Sequence, residues 1–200
     1  MKWIIPFAAI VVFMTSGSYG QIKQGMWELS LSGNVGTSSG STEKTTGGLT
    51  IKSEIAASGY LSFALRPGYY VIDGLVLEPE ILWTANEDAP PSLSFTGNLA
   101  YHFVVPQSRM APFVLAGYGR ANGIPSFQRL ERRTDGFDVS VLNIGAGMKF
   151  FVALRVALRI EYRFQRYGYE TSSSGGVFVN STKETRVFHN FFFGLSFFFQ

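Results

Sequence analysis

The 200-residue sequence predicts an all-β fold: an eight-stranded antiparallel up-and-down transmembrane β-barrel following a cleaved signal peptide. Three observations predict it. Charged residues make up 16% of the chain, below the ~25% typical of soluble domains, while aromatics reach 16% and glycines number 22. Hydrophobicity alternates with a period of two, the strand signal. The connections between alternating segments are long and polar at one end and brief at the other, as in membrane barrels.

Composition closes several routes. The aromatic content excludes a wholly disordered chain. With no cysteine, disulfide scaffolds, Cys-based zinc sites and thiol catalysis are excluded. Lys2 followed by the 13-residue apolar run Trp3 to Thr15, with Ser18-Tyr19-Gly20 after it, reads as a secretory signal. Thirteen apolar residues are too few for a helix crossing a bilayer, which needs ~20. Residues 1–20 are therefore expected to be removed and 21–200 to form the barrel domain. An exported chain has little access to genomic DNA, so the net charge of +3 does not argue for nucleic acid.

Strand one, Met26 to Val35, places Trp27, Leu29, Leu31 and Val35 opposite Glu28, Ser30, Ser32 and Asn34. Strand two runs from about Ser58 to Ile72 and strand three from Leu75 to Thr84; the alternation of Leu49 to Ile55 allows strand two an earlier start. Strand four, Leu93 to Phe103, sets Leu93, Phe95, Leu99, Tyr101 and Phe103 against Ser94, Thr96, Asn98 and His102. Strand five, Ala111 to Ala121, has no clear facing. Strand six spans Asp138 to Phe150 and strand eight Arg186 to Phe199. Strand seven, Ala153 to Arg166, is the clearest: Leu154, Val156, Leu158, Ile160, Tyr162 and Phe164 share one face, and its charges form one row on the other. Long polar connections are expected at Gly36 to Ala57, Ala85 to Ser92, Asn122 to Phe137 and Tyr167 to Thr185, and tight ones at Asp73-Gly74, Val104 to Met110 and Phe151-Val152. The Gly-Ser-Thr stretches Gly36 to Gly48 and Thr171 to Gly176 read as loops.

A soluble sandwich or lipocalin-like barrel also alternates. The distinction lies in the polar faces, which carry small residues and a limited set of opposite charges: Arg66, Glu78, Glu80, Lys149, Arg155, Arg159, Glu161 and Arg163. A narrow filled lumen needs such a set, since charges there must pair with one another. The row Arg155, Arg159, Arg163 could instead line an ion path or recognise an anion. Trp27, Tyr69, Trp83, Tyr101, Phe103, Phe150, Tyr162, Phe164 and Phe197 fall near strand ends on the apolar faces, as interfacial girdles do.

The last strand carries a resemblance. Phe191, Phe193, Leu195, Phe197 and Phe199 alternate back from the end of FHNFFFGLSFFFQ, which resembles the C-terminal signal read by the barrel assembly machinery of bacterial outer membranes, though Gln200 follows the final aromatic. Arg66 to Trp83 and Asn143 to Phe164 look like paired strands of the small OmpA/OmpX-type (porin-like) outer-membrane barrels. The resemblance covers nearly all of 21–200. It implies a Gram-negative type outer membrane, both termini in the periplasm and long loops outside. An eight-stranded barrel is only wide enough for side chains to fill its interior.

That reading sets the functional expectations: a structural or surface-interaction role, in envelope integrity or adhesion, through external loops. A narrow channel for ions or small solutes is the alternative, and a lipid A-modifying enzyme the third. Enzymatic action would need His102 or His189, and neither has a serine two residues on, so no enzyme is expected. No metal or other cofactor is expected either. Expected partners are outer-membrane lipid, the assembly machinery and an external ligand met by the loops. Arg120, Arg129, Arg132 and Arg133, in and beside the third long loop with Phe127, are candidate contacts to lipopolysaccharide phosphates.

Overall fold

A computed structural model describes residues 22–46, 48–85, 91–104, 108–123, 137–175 and 178–200. Eight antiparallel strands close into a barrel in chain order, each pairing with its sequence neighbours and the last with the first. They are β1 (Trp27–Thr46), β2 (Leu49–Ile72), β3 (Leu75–Ala85), β4 (Ser92–His102), β5 (Met110–Ala121), β6 (Val139–Ala153), β7 (Val156–Gly175) and β8 (Phe178–Phe199). Closure between β1 and β8 is continuous, from Trp27 opposite Phe199 to Thr46 opposite Asn180. The expected signal segment, 1–20, lies outside the described residues.

The barrel is inside-out. Val35, Leu77, Leu99, Ile144, Leu158 and Phe193 stand exposed on the outer wall, while Arg66, Lys149, Glu161 and Arg163 are fully buried in the lumen. This separates the molecule from a soluble barrel, whose apolar residues point inward. It also settles the facing of β5: Phe113 and Leu115 face inward, and Val114 and Tyr118 outward.

Three expectations are corrected. Most of Gly36 to Ala57 is strand rather than loop: β1 and β2 stay paired to Thr46 and Leu49. Tyr167 to Thr185 is likewise a hairpin, with β7 and β8 paired out to Gly175 and Phe178. These four strands have 20 to 24 residues, about twice the 9–11 needed to cross a bilayer. The third correction is the turn between β6 and β7, which falls at Leu154-Arg155, not Phe151-Val152. Arg155 is thus exposed at the turn, its carbonyl accepting the Phe198 N–H at 2.9 Å, and takes no part in the lumen. The alternation of apolar and polar residues continues through this turn, so the pattern conceals it. The Asp73-Gly74 turn, by contrast, stands where expected, with Gly74 in a left-handed conformation (φ 80°) that disfavours other residues.

Candidate functional site

The lumen is filled in tiers. At the end with the tight turns, Ile22, Tyr70, Phe113, Phe151 and Phe198 form an apolar floor. The segment before β1 is fastened across it, with the Gly25 N–H donating to the Tyr70 carbonyl at 2.9 Å and the Tyr70 N–H to the Met26 carbonyl at 3.0 Å. Further inward lies a charge belt supplied by β1, β2, β3, β6 and β7, with four cations, Arg66, Lys149, Arg159 and Arg163, and four anions, Glu28, Glu78, Glu80 and Glu161.

The belt is cross-braced between distant strands. Arg159 makes a two-pronged contact with Glu78, Nη1 to Oε1 at 2.8 Å and Nη2 to Oε2 at 3.0 Å, and reaches Glu161 at 2.8 Å. Arg163 donates to Glu80 at 2.7 Å and approaches Glu161 at 2.5 Å. Arg66 pairs with Glu80, and Lys149 donates to Glu28 at 2.6 Å. Phe192 fills the gap between two guanidinium groups, with Arg66 and Arg163 each 4.7 Å from its ring centre. Charged groups in a buried interior are tolerated only when they have compensating partners. Each charge of this equal set faces an opposite one, although both Nη atoms of Arg66 and Nη2 of Arg163 lack a hydrogen-bond acceptor.

Above the belt lies an amide and hydroxyl tier. Gln165 donates to Asn143 at 2.8 Å, Asn190 to Gln165 at 2.6 Å and Asn143 to Asn98 at 3.0 Å; the Tyr60 hydroxyl bonds to Asn190. A second apolar tier follows, in which the Phe188 ring packs edge-on against Tyr167 (4.8 Å) and Tyr60 (5.3 Å). The buried pair Arg186–Glu184, 2.9 Å, stands at the long-hairpin end.

Seven of the eight expected belt residues are therefore brought together, Arg155 being the exception. The sequence reading placed Glu28 on a polar face without including it among the paired charges, and it did not single out Tyr70, whose hydroxyl donates to Glu28 at 2.6 Å. No motif marks such a pair. Only the barrel's curvature brings Glu28 of β1 to Lys149 of β6.

Beyond the tiers, β2, β1, β8 and β7 continue together as a four-stranded sheet. The pairing of β3 with β2 ends at Leu61, and that of β6 with β7 at Gly168. Among the described residues, no strand pairs with the outer edge of β2 over Leu49 to Tyr60 or with that of β7 over Tyr169 to Gly175. A register shift between Ser38 and Gly40 reverses the facing of β2, so Leu49 and Ile51 lie on the lumen side of the sheet, 69% and 60% exposed.

Arg120 ends β5 on the outer wall, exposed; Arg129, Arg132 and Arg133 lie outside the described residues. Phe191, Phe193, Leu195, Phe197 and Phe199 all face outward along β8 beside β1. His102 is buried, its Nδ1 3.3 Å from the Gly74 carbonyl. His189 faces outward with Nδ1 2.7 Å from the Tyr162 hydroxyl, and among the described residues no serine or carboxylate hydrogen-bonds to either imidazole.

This architecture has known counterparts. The sequence matches the outer membrane protein beta-barrel domain family over residues 5–199. The chain belongs to that family. The outer-membrane barrel is similar in fold to Neisserial surface protein A (19% identity, covering 84% of this chain and 96% of that one, TM-score 0.51) and to OprG of Pseudomonas aeruginosa (14%, 92% and 100%, 0.54). It is also similar to the outer membrane protein AlkL in lipid bilayers (18%, 93% and 94%, 0.52). No curated protein matches the sequence. The outer membrane is thus the location of this barrel, in agreement with the sequence reading.

Proposed function

We propose that this outer-membrane barrel is a surface-interaction protein, with the filled lumen as a rigid scaffold and the projecting sheet as the contact surface. The observation that carries the reading is the pair of edges on the β2-β1-β8-β7 sheet that no strand among the described residues pairs with, the β2 edge carrying exposed Leu49 and Ile51. An exposed edge offers a row of backbone donors and acceptors to an extended segment of another polypeptide, and neighbouring apolar side chains add selectivity. The tiers across the lumen weigh against the channel reading, and the settings of His102 and His189 weigh against lipid A chemistry.

The test is to display the protein on a non-adherent bacterium and to measure attachment to an epithelial monolayer. Replacing residues 42–53 with an Asn-Gly turn should abolish attachment while the heat-dependent gel shift of the folded barrel persists. Attachment equal to that of the empty host, or unchanged by the shortening, would overturn the reading.

A further inference from the structure

Outside the lumen, the wall between β5 and β8 carries a depression of about 470 Å³ near the long-hairpin end, lined by Tyr118, Arg120, Ser140, Leu142 and Arg166 among others. This volume is within the range of small-molecule sites, ~300–1,000 Å³. The register explains how it forms. Arg120, Ser140, Gly168 and Thr185 occupy one row across four strands. Arg166 lies in the next row toward the apolar band, level with Leu142 and Tyr118. Gly168 leaves the floor open, and Ser140 donates to its carbonyl at 3.0 Å.

Arg120 and Arg166 stand two strands apart, which is roughly 10 Å between backbones, so both side chains can converge above β6. Both are exposed on the outer wall, and among the described residues no ion pair engages either. From the row of Leu142, beside Arg166, the wall becomes apolar, with Ile144 exposed below it on β6 and Val114 on β5. Two guanidinium groups above an apolar wall match an amphiphile whose anionic head lies at the interface. Asp138 and Glu170 also line the depression, and carboxylates accept hydrogen bonds from hydroxyl groups. Mixed signs of this kind suit a head bearing both phosphate and sugar.

We propose that this depression holds the headgroup of a phosphorylated glycolipid, with phosphate clamped by Arg120 and Arg166, sugar hydroxyls on Asp138 and Glu170, and acyl chains along Leu142 and Ile144. Planar guanidinium groups bind phosphate through two parallel bonds, which a flexible ammonium does not reproduce. The proposal rests on the long-hairpin end facing the cell exterior, as the surface-interaction reading has it. Lipid binding and cell attachment are separate readouts, so either idea can fail alone.

The experiment is native mass spectrometry of the intact barrel released from neutral detergent, titrated with diphosphoryl lipid A, phosphatidylglycerol, phosphatidylcholine or inorganic phosphate. Lipid A should be retained at the lowest concentration, and Arg120→Gln/Arg166→Gln should weaken retention at least tenfold with the heat-dependent gel shift intact. Lys44→Gln, which removes a cation from the projecting hairpin, should leave retention unchanged. Equal retention by the double variant would overturn the proposal, as would equal binding of phosphatidylcholine. Inorganic phosphate binding as strongly as lipid A would reduce the site to a simple anion contact and overturn the lipid assignment.

Discussion

Glu80 is shared by two guanidinium groups of the charge belt. It accepts from Arg163 at 2.7 Å, pairs with Arg66 and accepts the Thr96 hydroxyl at 3.2 Å, all without access to solvent. Glu80→Gln keeps the volume but leaves two buried guanidinium groups short of an anion. Removing one member of a buried pair costs about 3–5 kcal/mol, because the remaining charge is left uncompensated. The expected outcome is a shift of that size in urea unfolding of the barrel in lipid vesicles. Adding Arg66→Met should restore part of the loss by rebalancing the charge; no recovery would mean that packing, not charge, carries the cost. The membership of Glu80 could be read from sequence, because strand parity places a residue inside or outside. Its partners could not, because parity says nothing about position around the barrel. The same limit hid the contact of Glu28 with Lys149, 121 positions away. Crowding is also invisible in the pattern: a β-carbon on Gly117 would collide with the Asn98 side chain, which Asn143 holds at 3.0 Å.

At the scale of elements, sequence reading succeeds where a strand has lipid on one side and lumen on the other. There each residue pair must alternate, and β4 and β7 declare themselves. It fails where both faces meet water. Residues 41–46 are polar throughout, so no hydrophobic period marks them as strand, and the short alternation from Leu49 to Ile55 permits an earlier start of β2 without showing how far the hairpin reaches. What holds them extended is backbone pairing between β1 and both β2 and β8, which composition does not reveal. The β6–β7 turn fails for the opposite reason, since Leu154-Arg155 continues the alternation with no Gly, Pro or Asn to break it. The displaced turn leads to a matched pair of substitutions. Arg155→Gln, at an exposed turn, should leave unfolding stability within about 0.5 kcal/mol, as surface changes usually do. Arg159→Gln, four residues on, removes the two-pronged contact to Glu78 and the bond to Glu161, and should cost about 3–5 kcal/mol. Urea unfolding of both variants in the same vesicles checks this. Equal effects would return Arg155 to the lumen and move the turn back.

For the whole molecule, the question that the small-barrel resemblance leaves open is whether anything passes through. The lumen is closed independently at several levels: the floor around Phe113 and Phe198, the charge belt, the amide tier and the ring tier of Tyr60, Tyr167 and Phe188. The belt alone leaves little room, since the Arg159 guanidinium lies 4.7 Å from the Phe113 ring centre while bound to Glu78 and Glu161. An ion entering there would have to break paired, buried charges, which is costly in a low-dielectric interior. Planar-bilayer recordings of the refolded barrel should therefore show no discrete conductance steps. Since the tiers act in series, Glu80→Gln should remain silent as well despite its lost stability. Shortening the projecting hairpin should not open the barrel either, because closure lies below the sheet. Reproducible steps in the unaltered protein that change in size with Arg163→Ala would place an ion path through the belt and return the channel reading to first place. Silence in all three proteins, with folding verified by the heat-dependent gel shift, leaves the outer surfaces, the projecting sheet and the groove beside Arg120, as the parts that meet other molecules.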